Sequence, residues 1–474
     1  MRAGAGGGRR RGLGESVGGR RPGRLAGVAA VVVCAAVALA ENSGGYRGPN
    51  RNGVFPAQGL LREWPEGGPE LVWKTEGLGD GYGAPCVVDG EVYVTGSTFR
   101  KSADGKREGT GTVFAFGPDG RLRWKREYGR EIVKSSFRGP RATPAVHDGC
   151  VYFASGVADL YCMDTADGTL RWKVNIWGDL GDGGGAKRMG WGYNESPLLV
   201  GDLVIVNTCS TSKGGSPVVA VNCRTGEVVW AADPGPGNLS AADGSVIAAR
   251  CGNRTLVIAH TYRQVLGLDA SDGRTLWSLD AHKGAGMTPV HFGGHLLLGH
   301  KRGLRLMTLG RDGAMCEQVW VVEEPRKEDP PRETPPIVLG YEPPVVLGDC
   351  IHFAKFRHTD VTQTWLATMR LDTGEEIWSR ASQQEGWPPR PPTFAAAEGL
   401  LYVLEGGPRC SLARPTDKGL EEISSFRPAL GFGPTFTHPV IAEGRLFLRQ
   451  GPRLAVYDVR AKRMDPPAPS EGQD

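Results

Sequence analysis

The chain of 474 residues has ten cysteines but no Cys-Cys, no Cys-x-x-Cys and no Cys-x-x-Cys-His. Zinc-ribbon, thioredoxin-type and c-haem chemistry therefore have no support. His-Glu-x-x-His and Gly-x-x-x-x-Gly-Lys-Ser/Thr are also missing, which removes the metalloprotease helix and the phosphate cradle. Long helix-compatible stretches are scarce: 71 Gly and 34 Pro make 105 of 474 residues, about 22%, a composition that favours short strands and frequent turns and excludes a helical bundle. A basic body is lacking too. The formal charge is +4, yet residues 1–40 hold seven Arg against Glu15 alone, a surplus of six, which leaves the remainder near −2. An almost neutral body has no electrostatic footprint for nucleic acid.

What is present begins with a leader. Leu25 to Ala40 is sixteen residues without a charge, preceded by the arginines and ending in Ala38-Leu39-Ala40. It reads as a secretory signal peptide over 1–40, which places the protein in the periplasm or otherwise outside the cytoplasm. An uncleaved N-terminal anchor is the competing reading, since sixteen residues fall short of the roughly 20 that cross a bilayer. No membrane span is expected after cleavage. The bulky Val31-Val32-Val33 before Cys34 argues against lipidation, and Pro22-Gly23-Arg24 after Arg20-Arg21 against a twin-arginine signal. Cleavage leaves nine cysteines, an odd number, so at least one thiol stays free. Cys86, Cys150, Cys162, Cys223 and Cys350 sit in apolar or alternating runs and read as small buried hydrophobes.

Self-similarity decides the architecture. A Pro opening an apolar run, an acid-Gly or Gly-acid turn and a second apolar run recur at Ala84 to Val94, Thr143 to Phe153 and Ser196 to Val206. Further copies start at Thr288-Pro289, Pro343-Pro344, Pro391-Pro392 and His438-Pro439. Each reads as a β-hairpin, with Pro tolerated at the first strand residue and the turn glycine supplying positive φ. A second hairpin ends in Trp124, Trp172, Trp230, Trp277 and Trp378, each four residues after its turn glycine (120, 168, 226, 273, 374). A degenerate copy ends at Trp320, and one near Ser411 to Ile423 has lost the tryptophan. Two hairpins make a four-stranded antiparallel sheet that buries its faces only by stacking on like neighbours. The expectation is an all-β, eight-bladed β-propeller, its tryptophans packed between blades. The ring closes when the strand around Trp73 pairs with Leu454 to Asp458. Residues 41–69 are then an N-terminal extension, 70–460 the propeller and 461–474 a tail expected to be disordered.

The pattern (Ala/Val)-x-(Asp/Asn)-x-x-(Thr/Asp)-Gly-x-x-x-Trp over nearly all of 70–460 resembles the PQQ-repeat, quinoprotein-like propellers. Tyr46-Arg-Gly-Pro-Asn-Arg-Asn-Gly-Val54 is similar to the N-terminal signature of exported, uncharacterised members. That resemblance implies either quinone-dependent dehydrogenase chemistry with PQQ and calcium, or scaffolding of the kind done by the barrel-assembly lipoprotein. The vicinal disulfide ring, the haem motif and the long active-site loops of the dehydrogenases have no counterpart, and no catalytic aspartate carries over. No cofactor is expected. The resemblance favours a monomeric, non-enzymatic binding or scaffolding module in envelope assembly, with a PQQ-dependent oxidoreductase as the alternative.

Candidate ligand residues are those just before each inner strand, because these loops converge on the mouth of the central channel. Arg141, Trp191, Tyr193, Asn194, Glu195, Tyr341, Glu342, Trp387 and His438 combine aromatic rings, an amide, cations and carboxylates suited to a planar anionic or sugar-like ligand, or to an envelope protein partner. The competing reading is ordinary rim hydrogen bonding. His291, His295 and His300 straddle a Gly-Gly turn and would face different sides of a hairpin, which argues against zinc. Gly181 to Gly185 reads as a flexible loop and Glu323 to Pro336 as a solvated excursion between blades.

Overall fold

The computed structural model describes residues 44–133, 138–181, 192–209, 215–233, 244–261, 263–281, 287–300, 303–314, 316–323, 338–339, 342–357, 360–382, 391–406, 409–431 and 436–461. The leader, the tail beyond 461 and most of 323–336 lie outside them. The described residues form eight antiparallel sheets and no helix. In chain order the blades are 1 (86–131), 2 (145–175), 3 (198–231), 4 (247–280), 5 (290–323), 6 (338–381), 7 (393–426) and 8 (440–458 with Glu70–Thr75). Within each blade the strands run from the channel outward in sequence order. Blade 6 departs slightly, since Val338–Leu339 and Val345–Leu347 both pair with Cys350–Arg357 as two pieces of one inner strand. Closure follows the expectation: Glu70–Thr75 is the outermost strand of blade 8, paired from Glu70 opposite Asp458 to Thr75 opposite Leu454. Joining the two ends in one sheet removes an opening in the ring that would expose two unpaired faces.

The core is divided among the seams between blades. Each apolar cluster draws on the facing sides of neighbouring blades, as Tyr152, Cys162 and Trp172 of blade 2 meet Val204, Val219 and Val221 of blade 3. The tryptophans link successive blades in two ways. The indole N–H of Trp124, Trp172, Trp230, Trp277 and Trp320 donates to a carbonyl of the following blade (Thr165, Cys223, Ala270, Gly313 and Leu371) at 2.8–3.0 Å. Except at Trp277, the ring also lies on the next blade's turn glycine. A Cβ on Gly226 (φ 75°) would come within 2.9 Å of Trp172, and one on Gly273 within 2.4 Å of Trp230. The turn glycine thus meets two demands, a left-handed backbone and contact with the preceding indole.

Blade 7 shows what its lost tryptophan requires. Its outer strand places Ser424 at the tryptophan's register position, directly after the unpaired Ile423. The extension supplies an indole instead: Trp64 donates its backbone N–H to Ser424 Oγ at 3.0 Å and packs against Phe426 and Tyr402, with ring centroids at 5.1 and 5.9 Å. All nine described cysteines are free thiols, and Cys86, Cys150, Cys162 and Cys223 are buried as expected, whereas Cys350 is half-buried.

Candidate functional site: a mouth closed by three arginines

The innermost strands begin at the channel mouth. Here Ser and Thr hydroxyls join blade to blade. The N–H groups of Ala84, Thr143, Ser196 and Ser245 donate to the hydroxyls of Thr143, Ser196, Ser245 and Thr288 respectively, at 2.9–3.1 Å. Thr393 and Thr437 extend the ring by donating to the carbonyls of Thr437 and Tyr82, both at 3.0 Å. The strand-opening prolines leave an imbalance, because proline brings a carbonyl without an N–H. Each such carbonyl needs a donor from elsewhere, because buried acceptors without partners are costly.

Arginine supplies the missing donors. Arg47 of the extension is fully buried. Its guanidinium donates to the carbonyls of Pro343 and Pro344 at 2.8 Å and to that of Asn52 at 3.3 Å, and it lies 3.6 Å from the Glu342 carboxylate. Arg51 donates to the carbonyls of Ser196 (3.1 Å), Val246 (2.7 Å) and Pro197. Arg449, also fully buried, donates to the carbonyls of Gly83 and Gly451. Tyr46 packs edge-on against His438 with centroids 5.5 Å apart, and the Arg51 guanidinium sits 5.9 Å above the Tyr46 ring. From the mouth the extension descends beside blade 7. Phe55 N–H donates to the Ala396 carbonyl, Ala396 N–H to that of Gly53, and Val54 forms a parallel bridge with Ala396. Glu398, at the far turn of that blade, accepts from Gly59 and Leu60 N–H.

The predicted residues fall around this plug unevenly. Glu342 and His438 are brought to Arg47; His438 Nε2 accepts the Arg47 backbone N–H at 3.2 Å, which requires a neutral ring. Burial, with help from Arg47, holds His438 down at about 3. Burial pushes Glu342 up to about 7 against the pull of Arg47. Glu195 and Tyr193 are buried and act electrostatically on Arg51, whose guanidinium burial lowers to about 10. Tyr193 O–H donates to the Asn207 carbonyl at 3.0 Å, and the Cys209 thiol contacts Glu195 Oε1 at 3.6 Å. Asn194 is half-buried beside them. Arg141 is half-buried elsewhere, near Glu131, whose carboxyl burial raises to about 7. Trp191, Tyr341 and Trp387 lie outside the described residues. Tyr46, Arg47, Arg51 and Arg449 were not anticipated as mouth residues. The available signal was the pairing of strand-opening prolines, which lack donors, with Arg-Gly-Pro-Asn-Arg in the extension.

The arrangement is that of a closed eight-bladed propeller whose mouth is filled by its own N-terminal extension. A family model described as Outer membrane protein assembly factor BamB matches residues 109–278 and 214–338. Among solved structures, BamB from Moraxella catarrhalis is similar over 83% of this chain and 99% of its own, at 13% identity and a TM-score of 0.53. The quinohemoprotein alcohol dehydrogenase of Comamonas testosteroni is similar over 92% of this chain and 83% of its own, at 13% identity and a TM-score of 0.62. The corresponding enzyme from Pseudomonas putida HK5 gives 90% and 82%, 14% identity and 0.59. At these identities the likeness is one of fold. No curated protein matches the chain by sequence. Among the described residues no group of three His, Cys, Asp or Glu side chains is assembled to hold a metal, and no helix is long and apolar enough to cross a membrane.

Proposed function

We propose that the protein is an exported, non-enzymatic propeller that holds a protein partner in the cell envelope. The single observation behind this is the burial of Arg47 in the mouth: a small ligand there has to displace a segment tied to main-chain carbonyls and Glu342. The donor set weighs against a quinone in particular. Once Arg47 and Arg51 leave with the extension, the carbonyls they covered and the Glu342 carboxyl face the mouth, acceptors that disfavour a trianionic ring system, with Arg449 the cation that stays. The similarity to an outer-membrane protein assembly factor supports a protein partner, and an Arg-rich stretch followed by the uncharged run 25–40 supports export.

The experiment is a titration of the purified chain with PQQ and calcium, followed by dye-coupled oxidation of a primary alcohol. The expected result is no saturable quinone binding and no dye reduction. Stoichiometric quinone uptake with alcohol-dependent dye reduction overturns the proposal in favour of the oxidoreductase. Retention of a defined envelope protein from detergent extracts is the complementary measurement, and its absence counts against the scaffold.

A further inference from the structure

The outermost strands differ around the ring at one register position, although Val319 and Val321 of blade 5 are also exposed. Two residues before the indole position, blades 8, 1, 2 and 3 carry Leu71, Leu122, Leu170 and Val228, with 41%, 48%, 50% and 53% of their surface exposed. The same position in blades 4, 5, 6 and 7 holds Thr275, Gln318, Glu376 and Glu422. Charge divides along the same line. The outer strands of blades 8, 1 and 2 (70–75, 122–131, 170–175) contain seven Lys or Arg and three Glu, a balance of +4. Those of blades 4 to 7 (275–280, 316–323, 376–381, 419–426) contain one Arg and six acids, a balance of −5. Some of the positive charge is shared, since Arg123 pairs with Glu91, Arg171 with Asp164 and Lys173 with Asp159. Lys74, Lys125 and Arg126 are exposed and form no ion pair among the described residues.

We propose that the rim of blades 8, 1 and 2 is a docking face for an anionic phospholipid surface. Leucines interleaved with cations suit the interface of such a bilayer, where apolar side chains enter the acyl boundary and each Lys or Arg gains from the negative surface potential. Strand addition by a protein is disfavoured at this edge. Every outer strand carries a bulge beside its indole position, at Val72, Arg123 and Arg171 in these blades, which interrupts the edge hydrogen bonds that a fifth strand needs. The exposed apolar residues of these blades, Leu71, Val72, Leu122 and Leu170, are spread over three neighbouring blades, so a broad deformable surface reaches several together. This docking face stands independently of the scaffold proposal.

The test uses the full chain with vesicles of equimolar phosphatidylglycerol and phosphatidylcholine, and with vesicles of phosphatidylcholine alone. The apolar stretch 25–40 contributes equally in every variant. Leu71→Ser with Leu122→Ser and Leu170→Ser, or Lys74→Glu with Lys125→Glu and Arg126→Glu, is expected to weaken partitioning onto the anionic vesicles by about tenfold or more. Glu317→Lys with Glu421→Lys and Glu422→Lys leaves it no weaker. On the anionic vesicles deuterium uptake falls in 122–131 and 170–175 and not in 316–323. Unchanged partitioning of both rim triples overturns the proposal, as does protection confined to 316–323. Vesicle-independent capture of an acidic protein by the rim, lost in the same triples, overturns it as well.

Discussion

The seams and the mouth are built on different principles. At six of the eight seams a local motif is repeated, so that the indole of one blade finds the turn glycine of the next in an almost constant relation, whereas Gly313 of blade 5 meets Leu256 in place of Trp277. The mouth has no such repetition. Its hydroxyl links recur from blade to blade, but other main-chain carbonyls there accept from three arginines, each in its own way. Repetition secures the ring, and singular contacts close its centre. One seam crosses this division: at blade 7 the repeat fails, and Trp64 of the extension makes it good.

The largest effect is expected where a seam is emptied. Trp172→Ala removes a buried ring and its bond to the Cys223 carbonyl and should cost about 3–5 kcal/mol. Urea unfolding reads this as a lower midpoint; a loss under about 1 kcal/mol would mean that the indoles are not what joins the blades.

Next is the mouth. Arg47→Ala strands two proline carbonyls and leaves Glu342 without its cation, at a cost of about 3 kcal/mol. Faster proteolysis within 44–69 is expected to accompany the loss. An unchanged midpoint would make the plug incidental and the distinction between mouth and seam untenable.

The smallest effect is one of pH. His438 is held at about 3 in the fold against an ordinary 6.5, so its contribution is complete above 6.5 and is lost as acid protonates the unfolded chain. Glu342 and Glu131, both raised to about 7 from 4.5, act oppositely: the fold gains stability as pH falls from 7 towards 4.5. Arg47, Glu342 and Tyr46 face His438, so the comparison is between parent and His438→Gln, which shares the carboxylates. The stability difference between them should shift by about 2 kcal/mol from pH 6.5 to about 5, against the parent. Parallel pH profiles would show that His438 titrates normally and that the Arg47 N–H does not depend on a neutral ring.

Much of this was legible in the residues. Alternation, turn glycines and the Gly-x-x-x-Trp spacing are local signals, readable within a dozen residues, and they led to the blades, the packing role of the tryptophans and closure through Trp73. The mouth was legible only in outline. Glu342, His438, Glu195 and Tyr193 were singled out by position before an inner strand, but as contacts for an outside ligand. Their observed neighbours, Arg47 and Arg51, reach carbonyls 296 and 195 residues away along the chain. No periodicity reports such pairs.

The sequence by itself therefore determined the blade, the number of blades and the way the ends meet, because strand pairing and turn geometry are short-range consequences of residue type. Only the tertiary structure decided what fills the centre. Ring closure brings acceptors from blades 3, 4 and 6 to one point, and which donor answers them depends on the path of a segment that belongs to none of the repeats.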